Sequence, residues 1–120
     1  MADGWPFGAR IGIGVRPVRD GVALVTVTGE IDIATVPSLR VALAPLTADS
    51  ALRLLVCDLS KVSFLGCAGT SVLLDARAAL TARGAQLRLV ATGRVVLRPL
   101  AVMQLLDLLP VSPDVRSAML

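Results

Sequence analysis

The residues best placed to do chemistry lie in a run of small side chains, Gly66-Cys67-Ala68-Gly69, followed at once by the hydroxyls of Thr70 and Ser71. The run stands where a helix is expected to begin. A helix start presents unpaired N–H groups and about half a positive charge, which favours an anion or lowers a neighbouring thiol pKa. Cys67 would gain thiolate character there, whereas a buried Cys is an inert small apolar residue. The same four residues also read as a tight turn that permits close packing. Two carboxylates, Glu30 and Asp32, follow an apolar run, and Asp58 ends another. Asp58 reads as a turn former that accepts backbone N–H bonds, and Glu30 and Asp32 read as a solvated loop after a strand.

The usual parts of a catalytic site are missing. The chain has no His and two Cys, which leaves no His-based acid–base pair and too few ligands for a structural zinc. Neither a metal site nor a cofactor site is expected. Gly8-Ala9-Arg10-Ile11-Gly12-Ile13-Gly14 is glycine-rich but has no Lys-Ser/Thr, and it precedes a strand instead of a helix, unlike a phosphate-cradling loop. A binding module, not an enzyme, is the expectation.

Composition supports one compact unit. A chain of 120 residues suits a single domain and buries roughly two-thirds of its unfolded surface on folding. Apolar side chains make up 55% of it, about 63% with the ten glycines, against a usual ~45–50%. That excess hints at an exposed apolar patch for a partner or for self-association as a homodimer. The longest uncharged run, between Lys61 and Asp75, is 13 residues, shorter than the ~20 a membrane span needs. Met1-Ala2-Asp3-Gly4-Trp5-Pro6 lacks the basic and apolar regions of a signal peptide, so a cytoplasmic protein without direct membrane insertion is expected. Cys57 and Cys67 both stand in apolar runs and do not make a secreted disulfide scaffold. The net charge is +3, eleven of the twelve bases are Arg, and the rings are Trp5, Phe7 and Phe64. No basic cluster interleaves with aromatics, and no nucleic-acid partner is expected.

The elements that must position these residues follow from periodicity. Residues 1–9 read as a loose leader and residues 10–120 as the domain. Arg10–Val15 and Gly21–Thr28 form an antiparallel strand pair about the Asp20-Gly21 turn. Thr35 caps a helix with Pro37 in its first turn and Val36, Leu39, Leu43 and Leu46 on one face. Leu52–Asp58 is a buried, parallel-type strand, and Leu59–Leu65 is a connector containing Ser60 and Ser63. The clearest helix begins at Gly66–Gly69, has Gly69, Val72, Leu73, Ala76, Ala79 and Leu80 as its apolar positions with Thr70 on another face, and stops at Gly84. Gln86–Val90 is another buried strand. Pro99 makes the next helix start late or kink, and Met103 and Leu105 belong to the core. Leu108–Val111 is an edge strand, and Ser112-Pro113-Asp114 opens a short terminal helix. The class is α/β: one mixed sheet, antiparallel at its N-terminal pair and parallel thereafter, covered by helices.

Asp58-Leu59-Ser60-Lys61-Val62-Ser63-Phe64-Leu65-Gly66-Cys67-Ala68-Gly69, with Thr70-Ser71-Val72-Leu73-Leu74 after it, resembles the central signature of the STAS family, the sulfate transporter and anti-sigma factor antagonist domain. Bacterial antagonists carry a pattern like Asp-Leu-Ser-x-Val-x-Phe-Leu-Asp-Ser-Ser-Gly-Leu before the same helix. Gly29-Glu30-Ile31-Asp32 is similar to the family's Gly-Glu-Leu-Asp segment, and Val96 through Leu120 looks like its closing strand and helix.

The resemblance implies partner switching. An anti-sigma factor that is a Ser/Thr kinase, a histidine-kinase-like ATPase, binds either a sigma factor or the antagonist, and phosphorylating the antagonist's Ser or Thr before the Gly breaks that complex. A phosphate adds about −1.5 to −2 charges to an interface shaped for a hydroxyl. By the same resemblance, partner contacts fall on Glu30, Asp32, Gly66, Cys67, Ala68, Gly69, Thr70 and Ser71. The acceptor position, however, is Ala68, with Cys67 and Gly66 where Ser and Asp are expected and Thr70 in place of Leu. Ala68 has no hydroxyl to phosphorylate. Three readings remain open. The protein is an unphosphorylatable antagonist, or switching has moved to Thr70 or Ser71 by kinase or to Cys67 by oxidation. In the third, it is a STAS scaffold subunit docked on the ATPase of a membrane ABC-type lipid transport complex.

Overall fold

The computed structural model describes residues 10–120; the leader expected over residues 1–9 lies outside them. The elements run in the expected order. They are β1 (Ile11–Arg19), β2 (Val22–Ile31), α1 (Val36–Ala48), β3 (Leu54–Leu65), α2 (Cys67–Thr81), β4 (Gln86–Val90), α3 (Arg94–Val102), β5 (Val111–Ser112) and α4 (Val115–Ala118). The five strands form one sheet in sequence order. β1 pairs antiparallel with β2, and every later pairing is parallel.

Strand alternation splits the apolar residues between two faces. Val25, Val27, Leu55, Cys57, Leu59, Leu87 and Leu89 share one core with Leu39 and Leu43 of α1, Val72, Leu73 and Leu80 of α2, and Val96 and Leu100 of α3. On the other face Leu24, Val56 and Val90 are covered by Ala118, Val115 and Met119 at α4. Arg88 and Arg19 hold that cover in place, donating to the Ala118 carbonyl at 2.8 Å and the Met119 carbonyl at 3.2 Å. At the far end of α2, Arg83 donates to the carbonyls of Thr47, Leu52 and Leu46. The last-turn Thr47 carbonyl thereby gains a partner, and that of Leu46 a second beside the Asp49 N–H.

Several expectations need correcting. Leu59–Leu65 is the second half of β3, with Ser60 and Ser63 in the strand, because Leu59, Val62 and Leu65 all point into the core. Asp58 accepts the Ser60 N–H at 3.0 Å, where the β2–β3 register shifts. The bulge breaks the period-2 alternation and hides the strand. α3 begins on time at Arg94 and keeps Pro99 inside. A proline deprives the carbonyl four residues earlier of its donor; for Pro99 that residue is Val95, and for Pro45 inside α1 it is Val41. Both valines are exposed, at 43% and 75%, where water can replace the lost bond. The α4 cap is Asp114, not Ser112: its carboxylate accepts the Ser117 N–H at 2.7 Å. Met103 is 41% exposed, while Leu105 is buried as expected. Among the described residues, no helix is long and apolar enough to cross a membrane.

Candidate functional site

The site is built where two parallel strands end together. Glu30 lies opposite Phe64 and Ile31 opposite Leu65, and the Gly66 N–H continues the tie by donating to the Ile31 carbonyl at 2.9 Å. The loop after β2 is thereby fixed against the first turn of α2. On its other side β2 comes close to the start of β1 at Gly29, whose φ is +92° and where a Cβ would strike the Arg10 carbonyl. That carbonyl accepts the Glu30 N–H at 2.8 Å.

Asp32 has a structural task. Its Oδ1 accepts the N–H groups of Ala34 at 2.9 Å and Thr35 at 3.0 Å. In return the Thr35 hydroxyl accepts the Asp32 N–H at 2.9 Å and donates to the Glu30 carbonyl at 2.8 Å. The exchange is that of a capping box, so Asp32 does the capping expected of Thr35. Thr35 itself is 2% exposed and makes no side-chain cap bond to α1.

Along α2 the expected contact residues separate into two groups. Gly66 is the N-cap and contributes no side-chain bond. Cys67 and Ser71 are exposed, and Ala68 is half-buried. Gly69 and Thr70 face inward. A Cβ on Gly69 would lie 2.5 Å from Cγ2 of Ile31 and 2.7 Å from Cδ1 of Leu65, so this glycine is a packing residue. Thr70 has no exposure; its hydroxyl donates to the Cys67 carbonyl at 2.8 Å and lies 3.6 Å from Sδ of Met103. Thr70 is thus enclosed in this fold, unlike the exposed Cys67 and Ser71 beside it.

The two cysteines differ in kind, and both are free thiols. Cys57 is buried on β3, and burial pushes its thiol up to about 12, with the neighbouring Asp58 charge adding to the rise. Cys67 is exposed at the start of α2. No side-chain hydrogen bond reaches Cys67 or Ser71 among the described residues, so neither is paired with a base. No group of three or more His, Cys, Asp or Glu gathers there to hold a metal.

Sequence reasoning missed two large apolar side chains at this end. Ile33 is 82% exposed and Phe64 50%, flanking the loop and the helix start. Ile33 follows the Asp32 cap, where a turn forces it outward. Phe64 turns outward together with Ser63 between Val62 and Leu65, where the register shifts a second time, a signal concealed once that segment reads as a connector. With half-buried Glu30 and the methyl of Ala68, these groups present an apolar surface with a few polar atoms. Such a surface is suited to binding another protein.

Comparison with known proteins agrees with this architecture. Residues 15–118 match the STAS domain family. The anti-sigma-F factor antagonist RsfB of Mycobacterium tuberculosis is 36% identical over 87 residues, covering 72% of this chain and 70% of that protein. An anti-sigma factor antagonist from Mycobacterium paratuberculosis superposes with a TM-score of 0.84 at 35% identity, covering 94% of this chain and 96% of that one. The Bacillus cell fate determinant SpoIIAA, in its phosphorylated form, shares the fold alone, with a TM-score of 0.71 at 15% identity over 90% of this chain and 96% of that one. The match spans both the sheet and the loop that ends in α2, and it makes this chain a member of the STAS domain family.

Proposed function

We propose that this protein is an anti-sigma factor antagonist that acts by binding and not by catalysis. Its partner is an anti-sigma factor of the Ser/Thr kinase type, and its docking surface surrounds the start of α2. The observation that carries the reading is the 35% identity to a mycobacterial antagonist across 94% of the chain. Named antagonists among the relatives favour this reading over a transporter scaffold.

Ala68 occupies the position where the family carries its phosphoacceptor. With a methyl group there, the kinase has no hydroxyl to modify, and the complex persists in ATP. Ser71 is the remaining exposed hydroxyl of the first turns, and Cys67 the exposed thiol; these are the places where a relocated switch would act. Isothermal titration with kinase-type anti-sigma factors of the source cell should give 1:1 binding, unchanged by ATP. With radiolabelled ATP the wild type should take no phosphate, whereas Ala68→Ser should become labelled at the new hydroxyl. Label on wild-type Ser71 would instead show a moved switch and overturn the phospho-silent reading. The single substitution is preferable to adding Gly66→Asp, because a Cβ on Gly66 meets the Phe64 ring at 3.1 Å.

A further inference from the structure

A second apolar surface adjoins the first and shares Phe64 with it. The end of β3 and the outer side of α3 enclose an open groove of about 400 Å³, lined by Phe64, Val95, Pro99 and Val102 and edged by Arg94 and Arg98. Phe64 is 50% exposed and Val102 73%. Residues 95, 99 and 102 recur at i, i+4 and i+7, so α3 carries an apolar stripe outward as well as the Val96 and Leu100 it buries. An amphipathic helix normally has one apolar face, turned to the core. A second stripe on the solvent side is surface left for a partner.

The geometry points to an acidic amphipathic helix of a partner protein as the occupant, and we propose this groove as its docking site. Three observations select it. The stripe is two turns long, about 10 Å at 1.5 Å per residue, which matches apolar anchors at i, i+4 and i+7 on an incoming helix. Arg94 and Arg98 are one turn apart and exposed, and neither forms an ion pair among the described residues, although Glu30 lies opposite Phe64 on β2. Carboxylates flanking the anchors would complement them. Finally, α3 itself has no acidic residue. A second copy packed helix on helix would therefore set like charges against each other. An acyl chain is also a poor fit, because small-molecule sites bury most of their ligand and this groove is open along its length.

The inference goes beyond the antagonist reading and does not depend on Ala68. It is tested on the full chain with a displayed library of fourteen-residue helices, with apolar residues fixed at i, i+4 and i+7 and flanks drawn from Asp, Glu, Lys, Arg, Gln and Ser. Selection on the wild type should enrich Asp and Glu at the flanks. The best peptide should bind Val102→Asp and the double variant Arg94→Glu/Arg98→Glu about tenfold or more weakly, and its Glu→Lys version should regain affinity for the double variant. All three substitutions are on exposed side chains, and an unchanged thermal midpoint confirms the fold. Enrichment indifferent to flank charge, or none above that on Val102→Asp, overturns the proposal. So does a dimer in sedimentation that Val102→Asp dissolves, or Val102-dependent flotation with phosphatidylglycerol vesicles.

Discussion

Gly69 is a packing residue of the small-residue run. Its position against Ile31 and Leu65 lets α2 settle on the ends of β2 and β3, and both neighbours are buried, at 0% and 4% exposure. Gly69→Ala should lower stability by about 1–3 kcal/mol, the range for overpacking a core. The check is a shift in the urea midpoint with an unchanged slope, the mark of altered stability without altered compactness. The run of small residues and the inward place of Gly69 were visible in the sequence, but Thr70, expected on another face, is buried as well. Thr70 and Ser71 differ by 100° around the helix, and which of them faces inward depends on the sheet beneath. Asp32 was legible as a loop carboxylate, while its exchange of bonds with Thr35 required the turn to be seen.

At the scale of elements, the order and type of all nine were legible because periodicity and turn residues agree along most of the chain. The exceptions have local causes. The bulge at Asp58 disguised half of β3, and two helical prolines survive because the carbonyls they strand belong to exposed valines. The end of α3 offers a test of that local accounting. Gln104, just past the helix, has φ +58°, the left-handed conformation that usually falls to Gly at this position. Its N–H donates to the Ala101 carbonyl at 3.0 Å, and Leu105 then bonds the Leu100 carbonyl at 2.8 Å, so the turn is fixed by its neighbours. A left-handed non-glycine residue costs roughly 1–2 kcal/mol, and glycine returns part of that as unfolded-state entropy. Gln104→Gly should therefore stabilise the protein by about 0.5–1 kcal/mol, seen as a higher thermal midpoint. A lower midpoint would mean that the Gln104 side chain holds the turn in a way its backbone does not show.

At the scale of the whole molecule, the two-faced sheet explains an expected pH limit to stability. β3 runs between β2 and β4, and Cys57 lies on it with no exposure, in the core under the helices. Burial raises its thiol from the ordinary 9.0 to about 12, and the Asp58 charge adds to the rise. The folded chain therefore keeps this proton across a window in which the unfolded chain gives it up. Stability from the neutral thiol is complete below pH 9, where both states hold the proton, and is lost progressively as pH rises from 9 toward 12. The slope approaches about 1.4 kcal/mol per pH unit for one proton. Composition makes the experiment clean, because a chain with no Tyr, no His and one Lys has few other side chains that titrate in that window. In a Cys67→Ser background, urea unfolding at intervals from pH 8 to 10.5 should show a flat region and then the decline. Adding Cys57→Ala should lower stability at pH 8 through the lost packing and flatten the decline above pH 9. A decline of equal slope in both proteins would assign alkaline instability to groups other than the buried thiol.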